Sequence, residues 1–164
     1  MIITIDGVAG AGKTTLAQYL KIEYQSCYSV QIVHMDDLYD GWINPLGLNL
    51  SVKLREIAQA HKDRRPLSIS QYDWNNSLAG ALFTIDPIDL LILEGVGSGQ
   101  RAIREFVETK IWIDLEPIVG LHRVLARDGF EIEELMLSFL KEQRIHFSEE
   151  GTRDAADFHL AGLS

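Results

Sequence analysis

Short apolar runs alternate along this chain with longer stretches of helical periodicity. The runs predicted as strands are Ile2 to Ile5, Val30 to His34, Leu90 to Leu93, Ile111 to Ile113 and the short Phe158 to Leu160. A run that is apolar at every position, as 90–93 is, is typical of a central strand buried on both faces. This order predicts repeated βα units around a mostly parallel sheet of at least four strands, and therefore the α/β class.

Five stretches between or after these runs have helical periodicity. They are Thr14 to Tyr24, Leu50 to Ala60, Ser98 to Val107, Ile118 to Arg127 and Ile132 to Phe147. Segments 40–45 and 63–66 carry the glycine, proline and charged residues of loops. We expect one domain over residues 1–164, because this length suits a single core and no segment has the composition of a linker.

The charge balance excludes one broad class of function. The formal net charge is -9 and the pI is near 4.9, whereas binding to a phosphate backbone depends on a cationic surface. We therefore expect no nucleic-acid partner. The sequence has one cysteine, Cys27, no signal-like start and no apolar run long enough for a membrane span, so we expect a cytoplasmic protein without a membrane partner.

The strongest motif follows the first strand. The segment 7–14 matches GxxxxGK(S/T) and leads directly into a predicted helix, which is the context that a phosphate-binding loop needs. Glycines let backbone N–H groups approach phosphate oxygens, Lys13 would reach the β and γ phosphates, and the Thr14 hydroxyl would bind Mg²⁺. The alternative is a glycine-rich turn without a ligand. We predict ATP and Mg²⁺ as cofactors. The candidate cofactor-binding residues are Gly7, Val8, Ala9, Gly10, Ala11, Gly12, Lys13, Thr14 and Thr15.

Three carboxylates follow predicted strands, where open α/β sheets bind ligands. Asp36 and Asp37 come after the second strand, and a carboxylate there could accept the proton of an attacking hydroxyl and touch Mg²⁺. The alternative is a solvated turn or a helix cap. Glu94 ends the run 90–93 and resembles a Walker B carboxylate, with an exposed strand-end acid as its alternative. We predict Thr14, Glu94 and Asp36 as the metal-binding residues.

Two arginines lie on one predicted helix face. Arg123 and Arg127 are four residues apart, so both could point at transferring phosphates; the alternative is a solvated face with Arg127 paired to Asp128. The chain lacks the NKxD-type sequence of guanine-specific GTPases. We interpret Trp42 and Trp112 as packing residues, the usual role of large aromatic side chains.

The phosphate loop and segments 35–39, 71–74, 93–97 and 123–129 together resemble the uridine kinase-like branch of P-loop nucleoside and nucleotide kinases, in its short bacterial form. The resemblance covers nearly the whole chain and implies a P-loop NTPase three-layer fold, with helices on both sides of the sheet. It also implies that Asp36 is the general base and that Lys13, Arg123 and Arg127 stabilise the transferred phosphoryl group.

The same resemblance implies an acceptor pocket, for which a cluster of core-packing residues is the alternative. Its residues would be Asp37, Tyr39, Tyr72, Asp73 and Trp74. The chain is thus predicted to be an ATP- and Mg²⁺-dependent kinase of a small-molecule acceptor, which could be a nucleoside, a nucleotide or a non-nucleotide alcohol. The alternative is a nucleotide-binding regulatory or accessory protein without such activity. The sequence does not indicate an oligomeric state.

Overall fold

The computed structural model of the chain describes residues 1–74, 76 and 78–162. The strands are β1 (Ile2–Gly7), β2 (Val30–His34), β3 (Leu67–Asp73), β4 (Leu78–Ile85), β5 (Leu90–Glu94), β6 (Thr109–Asp114) and β7 (Phe158–Ala161). The α-helices are α1 (Lys13–Tyr24), α2 (Met35–Leu38), α3 (Leu48–Lys62), α4 (Pro117–Asp128) and α5 (Glu133–Glu150). Short 3-10 helices span Arg101–Phe106 and Phe130–Ile132.

Five strands form one parallel sheet in the order β2-β5-β1-β6-β7. The central strand β1 lies between β5 and β6, and Ile5 is in register with Glu94 of β5. On the other side of β5, His34 of β2 is in register with the same Glu94. The carboxyl ends of β1, β2 and β5 therefore meet at one edge, where parallel sheets bind ligands.

The sheet is covered on both faces, which explains the unbroken apolar run of β5. Leu91 and Leu93 pack into a cluster with residues of α3, α4 and α5, whereas Leu90 and Ile92 pack into a second cluster with Ala17 of α1. All four leucine and isoleucine side chains are fully buried. Successive strand residues point to opposite faces, so a strand buried on both sides needs an apolar residue at every position. The predicted three-layer α/β architecture is confirmed.

Two strands that the sequence analysis did not predict form a separate antiparallel hairpin. In this hairpin, β3 pairs with β4, with Leu67 opposite Ile85. The alternation of Leu67 and Ile69 with serines at 68 and 70 is the pattern of a half-buried strand. The hairpin lies beside α2 and thus brings its residues close to the edge where β2 ends.

The helix predicted for Ser98 to Val107 is wrong in its first three residues. Only the 3-10 helix at 101–106 forms, because the preceding residues bind the central strand. The backbone N–H groups of Gly97 and Gly99 donate to the carboxylate of Asp6, at 3.1 and 2.9 Å, and the Ser98 hydroxyl donates to the Ile5 carbonyl at 3.0 Å. In a helix, the N–H groups of the first turn would have no backbone partner, whereas here the N–H groups of Gly97 and Gly99 bind a carboxylate.

Candidate active site

A cavity of about 520 Å³ opens at the carboxyl edge of the sheet. The phosphate loop forms one side of it, the end of β5 forms its floor, and residues from α4 and α5 form another side. Trp42 and Trp74 close it from the loop after α2 and from the hairpin. Most of the predicted site residues meet here, namely Ala9, Gly10, Gly12, Lys13, Thr14, Thr15, Asp36, Tyr39, Trp74, Glu94, Arg123 and Arg127.

The phosphate loop is held by close backbone contact with α4. Gly10 has a φ of 77°, in the left-handed region that favours glycine. A Cβ atom at Gly10 would lie 2.3 Å from the Gly120 carbonyl oxygen, and one at Gly120 would lie 2.1 Å from the Ala9 carbonyl oxygen. The loop and the helix can therefore pack this closely only because both positions are glycine. Gly120 was not identified by the sequence analysis, since an isolated glycine in a helix gives no signal of its contact.

Lys13 lies beneath this loop. Its Nζ donates to the carbonyl oxygens of Gly7 and Val8, at 2.9 and 2.8 Å, and the residue is only 7% exposed. Burial lowers the pKa of Lys13, and the neighbouring carboxylates of Asp6 and Glu94 oppose that shift. The ammonium group thus lies within the loop. A bound phosphate could replace the two carbonyl oxygens as its hydrogen-bond partner.

Thr14, Glu94 and His34 form a chain of hydrogen bonds at the end of the sheet. The Thr14 hydroxyl donates to Glu94 Oε1 at 2.9 Å, and His34 Nδ1 lies 2.5 Å from the same oxygen. Glu94 is only 4% exposed. The hydrogen bond to Glu94 raises the pKa of His34. The strand register that places His34 opposite Glu94 could not be derived from the sequence, so the histidine was missed.

Asp36 is the second residue of the short helix α2 and lines the cavity. The residue is exposed towards the cavity, although the surrounding protein atoms partly desolvate its carboxylate. This desolvation raises the pKa of Asp36, and nearby Lys13 opposes the increase. The indole N–H of Trp74 donates to the Asp36 backbone carbonyl at 3.1 Å, which ties the hairpin to this helix.

The oxygen ligands at this edge suit Mg²⁺ better than a transition metal. A hydroxyl and two carboxylates, from Thr14, Glu94 and Asp36, are hard oxygen donors. The residues that the structure describes contain no group of three His, Cys, Asp or Glu side chains that could hold a metal by themselves. A magnesium ion here would thus keep waters and phosphate oxygens as further ligands, which is its usual mode of binding.

The two predicted arginines line the cavity from α4. Arg123 donates to the Gly10 carbonyl oxygen at 3.3 Å. Arg127 makes two hydrogen bonds of 2.6 Å to the Asp128 carboxylate, so the pairing considered as the alternative is present, although the side chain still lines the cavity. Arg123 therefore contacts the phosphate loop, and Arg127 lies close enough to Asp36 and Glu94 to interact with their charges.

Aromatic side chains form a further part of the cavity wall. Tyr39, Trp42, Trp74 and Phe139 all line it. The ring centroids of Trp42 and Trp74 are 5.2 Å apart, and Trp42 and Phe139 are 6.5 Å apart, with edge-to-face geometry in both pairs. The interpretation of Trp42 as a packing residue is thus incomplete, because the same ring that packs on its neighbours also lines the cavity. Phe139, on α5, was missed.

Three predicted acceptor residues do not line the cavity. Asp37 accepts a hydrogen bond from Gln71 of the hairpin, and Tyr72 packs edge-to-face on Trp74 at 4.9 Å. Asp73 accepts hydrogen bonds from the backbone and side chain of Asn76, at 3.1 and 2.8 Å, in the hairpin turn. These residues fix the hairpin and its tryptophan, and their direct contact with an acceptor stays a prediction.

Asp6 is a buried carboxylate that the sequence analysis missed. It is 1% exposed and accepts hydrogen bonds from the backbone N–H groups of Gly7, Gly97 and Gly99, at 2.7, 3.1 and 2.9 Å. Burial raises its pKa, and the three hydrogen bonds oppose that shift. The carboxylate thus joins the start of the phosphate loop to the segment after β5. An acid at the end of an apolar strand is the signal that could have identified it.

Known proteins with similar sequences bear the names of kinases. A uridine kinase of Lactobacillus johnsonii is 22% identical over an alignment of 178 positions, gaps included, which covers 96% of this chain and 84% of that protein. A cytidylate kinase of Methanococcoides burtonii is 28% identical over 129 residues, or 79% of this chain and 64% of that protein. The chain resembles uridine kinase-like P-loop kinases. No family model matches it.

A solved structure agrees with this resemblance at the level of the fold. A possible uridine kinase from Bacillus stearothermophilus superimposes with a TM-score of 0.72 at 20% identity, over 98% of this chain and 88% of that one. The predicted P-loop three-layer fold and the resemblance to the uridine kinase-like family are confirmed. Among the described residues, no helix is both long and apolar enough to cross a bilayer.

Proposed function

We propose that this protein is an ATP- and Mg²⁺-dependent kinase that transfers a phosphoryl group to a hydroxyl of a small molecule. The observation that carries the proposal is the single cavity in which Lys13 and the phosphate loop, Asp36, and two arginines of α4 all meet. A nucleotide-binding loop alone would support binding only. A carboxylate and two cations beside that loop supply the groups that phosphoryl transfer needs, namely a proton acceptor and stabilisation of the transferred charge.

The proposed reaction is an in-line displacement. The acceptor hydroxyl oxygen attacks the γ-phosphorus, the bond from that phosphorus to the β–γ bridging oxygen breaks, and ADP leaves with the electron pair. The hydroxyl proton passes to the Asp36 carboxylate. Lys13, Arg123 and Arg127 stabilise the negative charge on the phosphoryl oxygens, since positioning and electrostatics account for most of the catalysis in such reactions.

Mg²⁺ would be held by the Thr14 hydroxyl, with Glu94 and Asp36 next to it directly or through water. When bound, it would neutralise charge on the β and γ phosphates. The hydrogen bond between Thr14 and Glu94 at 2.9 Å supports this arrangement, because it already orients the hydroxyl towards the carboxylate. His34, bonded to the same Glu94 oxygen, would fix the orientation of that carboxylate.

The Asp36→Asn substitution tests the proposal. It removes the proton acceptor with little change in volume, so we expect acceptor-dependent ADP formation to fall by about 10²- to 10⁴-fold, with ATP binding retained. The matched control is Asp86→Asn, which neutralises an exposed carboxylate outside the cavity. Unchanged turnover in the Asp36→Asn variant would refute the role of Asp36 as the general base. ATP binding by the unmodified protein with no turnover across a broad acceptor library would favour a regulatory or accessory role.

A further inference from the structure

The buried face of α5 contains an uncharged polar residue beside the cavity. The buried side chains of this helix are Met136, Phe139, Gln143 and His146, which recur at the three- and four-residue spacing of one helix face. Gln143 is only 2% exposed and lies one turn after Phe139, which lines the cavity. A buried amide is unfavourable unless it is hydrogen-bonded. The partner of Gln143 therefore indicates the role of this residue.

That partner belongs to the phosphate loop. The side-chain oxygen Oε1 of Gln143 accepts a hydrogen bond from the backbone N–H of Ala9 at 3.2 Å. Ala9 lines the cavity, whereas Gln143 is not among the described residues that do so. The glutamine thus contacts the loop without reaching the cavity. It also directs the Ala9 N–H group towards α5, so that this donor is not offered to a phosphate.

The phosphate loop needs such contacts because its own backbone is permissive. Gly10 and Gly12 both have positive φ, of 77° and 96°, and glycine loses more conformational freedom on ordering than any other residue. A loop that is already ordered in the nucleotide-free protein loses less entropy when the nucleotide binds, which increases affinity. A contact that fixes the middle of this loop should therefore strengthen nucleotide binding, even if the contacting residue never touches the nucleotide.

Two cationic side chains also bond to the loop, but their contacts differ from that of Gln143. Lys13 donates to two carbonyl oxygens at the start of the loop, and Arg123 donates to the Gly10 carbonyl oxygen. The proposed function assigns both cations to the phosphates, so these bonds would be exchanged when a nucleotide binds. Gln143 is uncharged and lies outside the cavity lining, so its bond to Ala9 has no competing partner among the phosphates.

We propose that Gln143 is a positioning residue of the phosphate loop. It keeps the Ala9 N–H bonded to α5 both before and after the nucleotide binds, and it leaves the N–H groups from Gly10 onwards to meet the phosphates. This inference rests on the proposed function only in taking the loop as the nucleotide site. Because Phe139 and Met136 of the same helix line the cavity, α5 fixes the loop relative to another part of the cavity wall.

Hydrogen exchange of the Ala9 amide, followed by NMR in the full chain, tests the contact without any nucleotide. Gln143→Met removes the acceptor oxygen with little change in side-chain length, so we expect exchange at Ala9 to accelerate by about fivefold or more, the effect of one ordinary hydrogen bond. Gln143→Glu keeps an oxygen acceptor and should retain slow exchange. Unchanged exchange in folded Gln143→Met protein, or equally fast exchange in folded Gln143→Glu protein, overturns the inference.

Calorimetric titration with Mg²⁺ and adenylyl imidodiphosphate, a non-hydrolysable ATP analogue, tests the effect on nucleotide affinity. We expect Gln143→Met to raise Kd by about fivefold. The matched control is Gln100→Met, because Gln100 is 1% exposed but bonds to the Gly97 carbonyl and to Ser51 instead of the loop. Equal weakening by both variants would indicate a general loss of stability and would overturn the inference, as would faster exchange at Ala9 when the analogue binds.

The same titrations separate this inference from the proposed function. Weaker binding of the analogue by Gln143→Met, with no phosphorylated product across a broad acceptor library, would refute the kinase function and support the role of Gln143. Acceptor-dependent turnover by the unmodified protein, with an unchanged Kd in folded Gln143→Met protein, would support the kinase function and refute the role of Gln143. Absence of binding of the analogue by the unmodified protein would overturn both.

Discussion

Gly120→Ala is the substitution for which local propensity and tertiary packing predict opposite results. Gly120 lies within α4, and replacing glycine by alanine in a helix interior ordinarily stabilises a protein by about 1 kcal/mol. The new Cβ would, however, lie 2.1 Å from the Ala9 carbonyl oxygen, which is 0.9 Å inside the 3.0 Å limit for real Cβ contacts. The neighbour is backbone, so it cannot move away by a rotamer change.

Relief of this contact requires the phosphate loop and α4 to separate by about 1 Å. Overpacking of this kind costs about 1–3 kcal/mol, which exceeds the gain in helix propensity. We expect the free energy of unfolding to fall by about 1 kcal/mol, where propensity alone predicts a rise of about the same size. Because the moving segment is the proposed phosphate-binding loop, turnover should fall by about 10²-fold, the loss that a 1 Å misplacement produces.

Urea denaturation measures the free energy of unfolding. An ADP-release assay measures turnover, and a nucleotide titration measures Mg²⁺-ATP binding. Ala126→Gly, at an exposed position of the same helix, calibrates the propensity effect in this context. A Gly120→Ala protein that is more stable than the unmodified chain and binds Mg²⁺-ATP equally well would refute the packing argument. The loop would then be shown to adjust to α4 at negligible cost.

Three further predictions concern single carboxylates. Desolvation raises the pKa of Asp36 above its ordinary value of 3.8. We therefore expect kcat/KM to rise with pH as Asp36 deprotonates, with a midpoint above 3.8. A pH profile without this rise would contradict the role of Asp36 as the base. Glu94→Gln keeps an oxygen that can accept from the Thr14 hydroxyl but removes the negative charge, so half-maximal activity should need about tenfold more Mg²⁺. An unchanged Mg²⁺ titration would argue against metal binding at Glu94. Asp6→Asn places an amide donor against backbone N–H groups, so the free energy of unfolding measured by urea denaturation should fall by about 2 kcal/mol or more. Unchanged stability would mean that the buried carboxylate does not stabilise the fold.

The sequence was most informative where one physical requirement decided the pattern. The strand at 30–34 was predicted with the bounds that the structure has, and the run 90–93 differs only by the inclusion of Glu94. Burial on both faces forces a continuous apolar run, and such a run is visible without any knowledge of its neighbours. The phosphate loop was equally visible, because its glycines are required locally.

Features that depend on register or on long-range packing were not accessible in the same way. The contact of His34 with Glu94 was missed, because only the pairing of β2 with β5 places these two residues opposite each other. The helix predicted from Ser98 was shortened by bonds to Asp6 and Ile5, more than 90 residues away in the chain. Trp42 was assigned to packing, since the wall to which it belongs is assembled from segments that are distant in sequence.

The hairpin at 67–85 forms a sheet of its own, separate from the five strands that carry the phosphate loop. Its Trp74 reaches the cavity, while its backbone pairing is internal. The length and side chains of this hairpin can therefore change without disturbing the sheet on which the proposed nucleotide chemistry depends. Divergence of acceptor preference among proteins with this architecture should be concentrated there, and exchanging the hairpin between two such chains is the most direct route to retargeting one of them.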